Sequence, residues 1–197
     1  MRMNNDPDFF FPAPRLQNYC GQCASPITRR IPPGDNRERD LCEKCGAISY
    51  QNPRLVVGTL PIWQGKVLLC LRAIEPRAKT WTLPAGFMEL GETISQGAER
   101  ETVEEAGIRI DLGHMYTVID IPHVDQVHVF FLAEALGPDM DPGPETIEAR
   151  WYGLDEIPWE DLSFRSVSTT LRHYLRDLES GKFGPHHYAL NVNHHKP

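Results

Sequence analysis

The sequence predicts an α+β protein with a small cysteine-containing module ahead of a larger domain. Three observations support this. Four cysteines stand in two Cys-x2-Cys pairs within the first fifty residues. Two apolar, β-prone runs follow, Leu55–Ile62 and Gln126–Ala135. Two segments have helical periodicity, an acidic one before Gly107 and an apolar one over Ser168–Glu179.

The length of 197 residues allows one full domain and a small second one. The formal net charge is −7, so we expect no general affinity for nucleic acid or anionic membranes. The apolar Phe9–Phe11 run is too short for a signal-peptide core and follows acidic residues. No run approaches the length of a membrane-spanning helix, so we expect a cytoplasmic protein without a membrane partner.

Residues 1–17 are rich in Pro, Asn and Asp, which predicts a flexible arm. The four paired cysteines follow, with eighteen residues between the pairs: Cys20, Cys23, Cys42 and Cys45. This spacing indicates a zinc site, and we interpret residues 18–50 as a zinc ribbon. Four thiolates complete a tetrahedral zinc, so the ion would be structural. The alternative is two disulfides, which would require an oxidising compartment.

The ribbon also carries four arginines, which raises the alternative of a nucleic-acid-binding surface. Acidic residues interleave with them, so we favour a solvated mixed surface. The fifth cysteine, Cys70, falls in the apolar run Val67–Leu71 and is predicted to be a small buried side chain.

A β-hairpin is predicted next, from Leu55–Ile62, a turn at Gly65 and a return strand Lys66–Arg72. A charged loop over Ala73–Lys79 leads to a short strand over Trp81–Ala85.

The segment Gly86–Ile108 has a glycine-rich entry, predicted to be a loop as far as Gly91, and then an acidic helix. Thr93 or Ser95 is expected to cap the helix and Gly107 to end it. Glu101, Glu104 and Glu105 stand at i, i+3 and i+4, so their like charges share one helix face. Such a cluster suits Mg²⁺, which takes oxygen ligands, whereas charge alone would fit a solvated acidic face.

Beyond the helix we expect strands over Ile110–Met115, Tyr116–Pro122 and Gln126–Ala135, and a short strand within Glu145–Leu154. The final helix should bury one face and end at Gly181; that face carries Leu171, Tyr174, Leu175 and Leu178. Residues 183–197 are expected to form a solvated tail rather than a metal site, although they contain His186, His187, His194 and His195.

The acidic segment resembles the Nudix hydrolase box at nearly every fixed position. The matching residues are Gly86, Glu92, Arg100, Glu101, Glu104, Glu105, Gly107 and Ile108, and the one departure is Thr102, where an aliphatic residue is usual. The resemblance implies a Nudix domain over residues 51–182, folded as an α/β/α sandwich with a mixed sheet. It also implies hydrolysis of a diphosphate bond with Mg²⁺ or Mn²⁺.

The same resemblance implies individual roles. Glu101 and Glu105 would be the main metal ligands, with Glu104 as an additional ligand or helper and the carbonyl of Ala85 as a further ligand. Arg100 and Glu92 would pair to tie the loop to the helix. Relatives use a later glutamate on the metal or the water, for which Glu145 is favoured over Glu148.

The substrate is less sharply indicated. A zinc ribbon before the box resembles the NADH pyrophosphatase family, but that family's Ser-Gln-Pro-Trp-Pro-Phe-Pro motif is absent from Met115–Val124. The stretch LPAGFMELGET is similar to ADP-ribose pyrophosphatases, and the downstream half resembles zinc-ribbon FAD and ADP-ribose diphosphatases. ADP-ribose and FAD therefore lead, with NAD(H), NAD-capped RNA and nucleoside triphosphates as alternatives.

Candidate substrate contacts are one basic residue, for phosphate, and four ring side chains, for base stacking: Arg72, Trp81, Phe87, Tyr116 and His123. For the aromatic residues the alternative is core packing. A rival class is a zinc-ribbon regulator without catalysis, whose expected sign, a lost box glutamate, is absent. Many relatives are homodimers, which makes a homodimer an expectation here as well.

Overall fold

The computed structural model describes residues 17–190 of the chain. The described residues form two compact units, which are residues 17–53 and residues 54–190. The predicted arm before Gln17, and the last two histidines of the predicted tail, His194 and His195, lie outside the described residues.

The smaller unit is a three-stranded antiparallel sheet in the order β1-β2-β3. Its strands are β1 (Thr28–Arg30), β2 (Arg39–Leu41) and β3 (Ile48–Ser49). The cysteine pairs occupy two tight turns, closed by bonds from Ala24 N to Cys20 O (2.9 Å) and from Gly46 N to Cys42 O (2.8 Å). The second turn requires φ +74° at Gly46, a conformation that glycine adopts without strain.

The larger unit is built on an eight-stranded sheet in which β10-β5-β4-β9-β8-β11 are adjacent in that order. The strands are β4 (Arg54–Trp63), β5 (Lys66–Arg72), β6 (Trp81–Thr82), β7 (Ala85–Phe87), β8 (Ile110–Ile121), β9 (Gln126–Ala135), β10 (Thr146–Tyr152) and β11 (His186–Ala189). β6 pairs with β5, and β7 pairs with β4. The β4–β9 and β8–β11 pairs are parallel and the others antiparallel, which confirms the predicted mixed sheet.

Two helices, α1 (Ile94–Ala106) and α2 (Arg165–Ser180), cover opposite faces of this sheet. Ala98 of α1 belongs to the same buried cluster as Val129 of β9. Leu171 of α2 belongs to the cluster that contains Phe130, the next residue of β9. Because neighbouring strand residues point to opposite faces, the sheet lies between the helices, as predicted.

The ends of α1 follow from local chemistry. Thr93 is the N-cap: its hydroxyl accepts from Gln96 N (3.2 Å), while the Gln96 side chain accepts from Thr93 N (2.8 Å). This reciprocal capping box selects Thr93 from the two predicted caps. Gly107 ends the helix at φ +67°, as predicted.

Helix α2 begins at Arg165, three residues before the predicted start, and is followed by Gly181 at φ +68° as predicted. Leu171 and Tyr174 are buried, but Leu178 is 41% exposed, so the predicted apolar face was wrong at that position. Asp177 faces inward instead, because its carboxylate accepts from the buried Tyr116 hydroxyl (2.8 Å).

Three further predictions need correction. Gly86 and Phe87 belong to strand β7 and not to a loop, since Phe87 pairs with Val56 of β4. The two strands expected after α1 form one strand, β8, with irregular register around Met115.

Residues 186–189 are largely exposed, as expected for a solvated tail, but they are not an irregular segment. They form β11, which pairs with residues 117–120 of β8. Two side-chain contacts also hold this strand, from His186 to Asp177 and from His187 to Asp120, both at 2.7 Å. Neither helix is long and apolar enough to span a bilayer, within residues 17–190.

Candidate active site

The three glutamates of α1 differ sharply in exposure. Glu101 and Glu105 are 9% and 8% exposed, whereas the Glu104 side chain is 58% exposed. Glu105 stands one turn after Glu101, so the two buried carboxylates point the same way. Helix α1 packs on β4 and β7, which brings both carboxylates to the end of the short strand β7.

Strand β7 holds these carboxylates through its backbone. Ala85 N donates to Glu105 Oε2 at 3.0 Å. A Cβ atom on Gly86 would lie 2.4 Å from the Glu101 carboxyl group, so any other residue here would displace that carboxylate. The glycine that opens the acidic segment is thus explained by close approach, and the Ala85 peptide lies at the carboxylates.

Arg100 joins the acidic residues to the loop before α1. Its guanidinium donates to both oxygens of Glu92 (3.0 and 2.8 Å) and to the Phe87 carbonyl (3.2 Å). It also donates to Glu101 (2.7 Å) and Glu104 (3.0 Å). The ion pair of Arg100 with Glu92 therefore spans from helix to loop.

The glutamates of this site differ in the direction in which their pKa values are shifted. Hydrogen bonds from Arg100 lower the pKa of Glu92 to about 2. Burial raises the pKa of Glu105 to about 7, although the Ala85 N–H opposes the shift. Burial also raises the pKa of Glu101, against the attraction of Arg100. Burial therefore disfavours the charged form of both carboxylates, although Glu101 keeps an ion pair with Arg100.

A loop between β9 and β10 brings Glu145 towards the same place. Asp141 N donates to Ala106 O (3.2 Å) and Gly143 N to Glu104 O (3.1 Å), so the loop satisfies free carbonyls at the end of α1. Glu145 O then accepts from Ala73 N (2.8 Å). The charge of Glu145 contributes, after burial and Glu101, to raising the pKa of Glu105.

The other candidate base differs in its surroundings. Glu148 lies within β10 and pairs with Arg150, whose Nε donates to it at 2.8 Å. This arrangement favours Glu145 over Glu148 as the late glutamate near α1.

The candidate substrate residues divide into two groups. Arg72 lies beside the carboxylates: burial lowers its pKa, and the charges of Glu105 and Glu145 oppose that shift. Its Nε donates to Pro76 O at 3.1 Å. Phe87 is 46% exposed, and the Arg54 guanidinium lies 4.6 Å from its ring centroid. His123 is exposed in a 3-10 turn between β8 and β9, on a different loop from the carboxylates.

Trp81 and Tyr116 lie in the core, in agreement with the alternative given for each. Trp81 is 9% exposed and packs edge-on against Tyr152, with 5.1 Å between ring centroids. Tyr116 is fully buried. Base stacking by either ring would require the core to open, so both predictions are corrected.

Two residues that contact the candidate site residues were not identified from the sequence. Arg54 covers the Phe87 ring, and no pattern marked it. Thr59 of β4 is the partner of Thr102: their hydroxyl oxygens are 2.6 Å apart and both residues are fully buried. A threonine within the apolar β4 run was the one available signal. The contact between the two hydroxyl groups explains how Thr102 is tolerated at a position where the Nudix box usually has an aliphatic residue.

The four paired cysteines form the second candidate site. Their Sγ atoms all lie within 4.8 Å of one another, with Cys20–Cys45 at 3.6 Å and Cys23–Cys42 at 3.5 Å. A tetrahedral zinc with Zn–S bonds of about 2.3 Å places its sulfurs about 3.8 Å apart. The thiol groups are free rather than paired in disulfides, so they fit structural zinc.

The carboxylates also fit a divalent metal, on different grounds. Within residues 17–190 they form no group of three converging as closely as the cysteines, and Arg100 lies between Glu101 and Glu104. Burial supports this fit, because Glu101 and Glu105 both have raised pKa values and both lie beside the Ala85 peptide. A bound Mg²⁺ or Mn²⁺ would supply the missing positive charge.

Comparison with known proteins gives an independent result. The family model described as "NUDIX domain" matches residues 52–172, and the model described as "Nudix N-terminal", a zinc ribbon, matches residues 18–51. Among curated proteins, an NAD-capped RNA hydrolase, NudC, of Chromobacterium violaceum is 30% identical over 168 residues, covering 82% of this chain and 61% of the relative. The chain spans 49% to 61% of the length of the curated relatives it matches.

Two solved structures are informative. A Nudix hydrolase from Nitrosomonas europaea has a TM-score of 0.86 and 45% identity, and the match covers 89% of this chain and 100% of that one. An ADP-ribose pyrophosphatase from Streptococcus suis has a TM-score of 0.55 at 20% identity, over 71% of this chain and 100% of that one. The second likeness concerns the fold alone.

Proposed function

Because this chain belongs to the Nudix hydrolase family, we propose that it hydrolyses the diphosphate bond of a nucleoside diphosphate derivative, with ADP-ribose and FAD as leading substrates. The observation that carries the proposal is the pair of buried carboxylates, Glu101 and Glu105, held against β7 with raised pKa values. Two buried carboxylates are costly unless cations neutralise them: Arg100 pairs with Glu101, and a bound metal would neutralise the remaining charge.

The residues of the site have separate tasks in this proposal. Glu101, Glu105 and the Ala85 carbonyl would hold Mg²⁺ or Mn²⁺, with Glu104 as an outer helper. When bound, the metal would offset negative charge on the diphosphate and lower the pKa of the attacking water. Arg100 and Glu92 hold the loop against the helix and keep Glu101 in place.

Glu145 is the proposed general base. It accepts a proton from the attacking water, whose oxygen forms a bond to phosphorus as the bridging P–O bond breaks. ADP-ribose would give AMP and ribose 5-phosphate, and FAD would give AMP and FMN. Arg72, beside Glu105 and Glu145, is the proposed phosphate contact. Phe87, exposed and next to Gly86, is the proposed platform for a heterocycle, with His123 as a second candidate.

A second substrate group is supported by the curated relatives, which are named NAD-capped RNA hydrolases. NAD(H) and NAD-capped RNA contain the same kind of bond. The ribbon arginines belong to a mixed surface, since Arg39 pairs with Asp35 (2.9 Å) and Arg30 with Glu43 (3.1 Å). We place NAD-capped RNA second because this surface is not a basic face, and NAD(H) second because the NADH pyrophosphatase motif is absent from Met115–Val124.

A substrate panel tests the proposal. Purified protein is incubated with ADP-ribose, FAD, NADH and NAD-capped RNA in Mg²⁺ and in Mn²⁺, and products are separated by chromatography. We expect metal-dependent release of AMP from ADP-ribose or FAD, strongly reduced by Glu145→Gln and little changed by Glu148→Gln. If folded, metal-loaded protein turns over no diphosphate, the proposed activity is wrong.

A further inference from the structure

The smaller unit contains a cavity of about 190 Å³ beside its first cysteine turn. Asp40 of β2 and Ser49 of β3 are register partners, and both line it. Ile27, Ala47 and Ile48 supply apolar walls. One water occupies about 30 Å³ in the liquid, so the cavity has room for a planar polar group and its aliphatic stem.

The Asp40 carboxylate is buried and only half of it has a protein partner. Asp40 is 8% exposed, and its Oδ2 accepts from Gln51 Nε2 at 2.9 Å. Within residues 17–190 no protein group donates to its other oxygen, Oδ1. The two salt bridges among residues 17–53 join other pairs of residues. A buried charged oxygen normally has a hydrogen-bond donor, so Oδ1 is the atom that a ligand would satisfy.

The charge around the cavity selects a cation. Cys20 also lines it, and four thiolates carry more negative charge than one Zn²⁺ carries positive charge. A filled zinc site would therefore add to the negative charge of Asp40. The phosphates of a nucleotide would be repelled here, whereas a positively charged N–H donor would be attracted.

The mixture of walls favours a guanidinium group over an ammonium group. A guanidinium is flat and weakly hydrated, whereas an ammonium is compact and strongly hydrated. Ser49 Oγ donates its proton to Gln17 Oε1 at 3.0 Å, which leaves its lone pairs free to accept. One nitrogen of a guanidinium could donate to Asp40 and another to Ser49, while its flat faces meet apolar side chains.

We propose that this cavity binds the guanidinium group of an arginine side chain presented by a polypeptide. Asp40 Oδ1 is the charged acceptor and Ser49 Oγ the neutral one, and Gln51 and Gln17 are positioning residues. Two sources offer this group: an arginine of a separate polypeptide, and Arg15 of this chain, two residues before Gln17. The inference is independent of the proposed hydrolysis, because none of these residues belongs to the candidate active site.

The test is an NMR titration of the zinc-loaded full chain with Nα-acetyl-arginine N-methylamide. The matching citrulline compound has nearly the same shape without the charge, and the matching lysine compound carries an ammonium group. The proteins are the wild type, Arg15→Gln, Asp40→Asn, Ala47→Leu and a control, Asp35→Asn. Zinc content is measured for each.

We expect the arginine compound to shift the amide signals of Gly21 and Ser49 with a Kd in roughly the millimolar range. Asp40→Asn should weaken binding at least about tenfold, and Ala47→Leu should do the same by filling the cavity while keeping the charge. Asp35→Asn should leave the Kd unchanged, because that carboxylate is paired with Arg39 at 2.9 Å.

The arms of the titration distinguish the two sources. Binding to the wild type supports a separate polypeptide. Binding that appears only in Arg15→Gln supports the chain's own arginine as the occupant.

No saturable shift in either protein would overturn the proposal and leave water as the only occupant. Equal Kd values for the arginine and citrulline compounds, or tighter binding of the lysine compound, would also overturn it. If Asp40→Asn loses zinc, Ala47→Leu and the citrulline comparison decide. Absence of diphosphate turnover by the wild type would refute the hydrolase and leave this result unaffected.

Discussion

Glu105 is a carboxyl group whose ionisation opposes folding in the metal-free protein. Its folded pKa is raised from 4.5 to about 7 by burial. The folded state therefore binds its proton more tightly than the unfolded state does. This contribution to stability is complete below about pH 4.5 and is lost as pH rises through 7.

Replacing Glu105 with Gln should separate the stability of the fold from its activity. We expect Glu105→Gln to abolish turnover but to stabilise Mg²⁺-free protein at pH 8 by about 1–3 kcal/mol, with little effect at pH 4.5. Urea unfolding at both pH values, with zinc left in place, measures this. Glu99→Gln, at an exposed position of the same helix, should change neither property. A variant less stable than wild type at pH 8 would contradict the assignment of a buried, unneutralised charge.

The structural role of a single residue could be predicted where it depends only on residues nearby in the sequence. The Thr93 cap and the Gly107 terminus depend on neighbours within one helical turn, and both were predicted. The partner of Thr102 was not, because Thr59 is 43 residues away in the chain. The burial of Trp81 was likewise open, since an aromatic side chain suits both a core and a binding site.

At the scale of elements, the loop between β9 and β10 is fastened to α1 by its backbone. Gly143 is central to this, because a Cβ atom there would lie 2.2 Å from Glu104 O. The contact explains how Glu145, far along the chain, reaches the carboxylates of α1.

Gly143→Ala should therefore reduce activity without touching any proposed catalytic side chain. The added methyl group must push the loop from α1, and we expect kcat to fall by at least about tenfold as Glu145 moves. Gly137→Ala is the matched control in the same loop, since nothing lies within 4 Å of its added methyl group. Steady-state kinetics on the best substrate measures both. Equal kcat values for the two variants would show that the fastening does not position Glu145.

Most long elements of the larger unit were predictable, although β8 was predicted as two strands, and the shortest elements were not. Strand β9 and both helices carry enough periodic apolar residues to be recognised. Strand β7 has three residues and β11 has four, and each exists because a partner strand is already in place. No pattern within so few residues can report a partner elsewhere in the chain.

At the scale of the whole molecule, the two units differ in how many apolar side chains they bury. Among the described residues 17–53, the buried apolar or sulfur-containing side chains are Cys20, Pro32, Leu41 and Cys42. Residues 54–190 contain several large buried clusters. Zinc should therefore supply most of the folding free energy of the smaller unit.

Loss of one thiolate should show this dependence. We expect Cys42→Ser to lose the single zinc ion per chain and the order of residues 17–53, while residues 54–190 keep their amide protection. Metal analysis and hydrogen exchange measure the two effects. Cys70→Ala is the control, because Cys70 is buried in the larger unit and should leave zinc content unchanged. Retention of stoichiometric zinc by Cys42→Ser would rule out a four-cysteine site.

The fold as a whole was predicted through the resemblance of Gly86–Ile108 to a known box, and not from composition. The strand order β10-β5-β4-β9-β8-β11 depends on pairings between distant segments, which periodicity does not encode. Substrate choice is still less accessible from the sequence, because the candidate contacts Arg72 and Phe87 belong to separate strands, β5 and β7.

Strand β11 has a consequence for how the protein behaves in concentrated solution. Without it, β8 would be the outermost strand, and its twelve residues would offer unpaired peptide groups to neighbouring molecules. Four residues bearing two histidines cover residues 117–120 of that strand. A short polar strand is a poor template for further pairing, so we expect this segment to limit strand pairing between chains at residues 117–120.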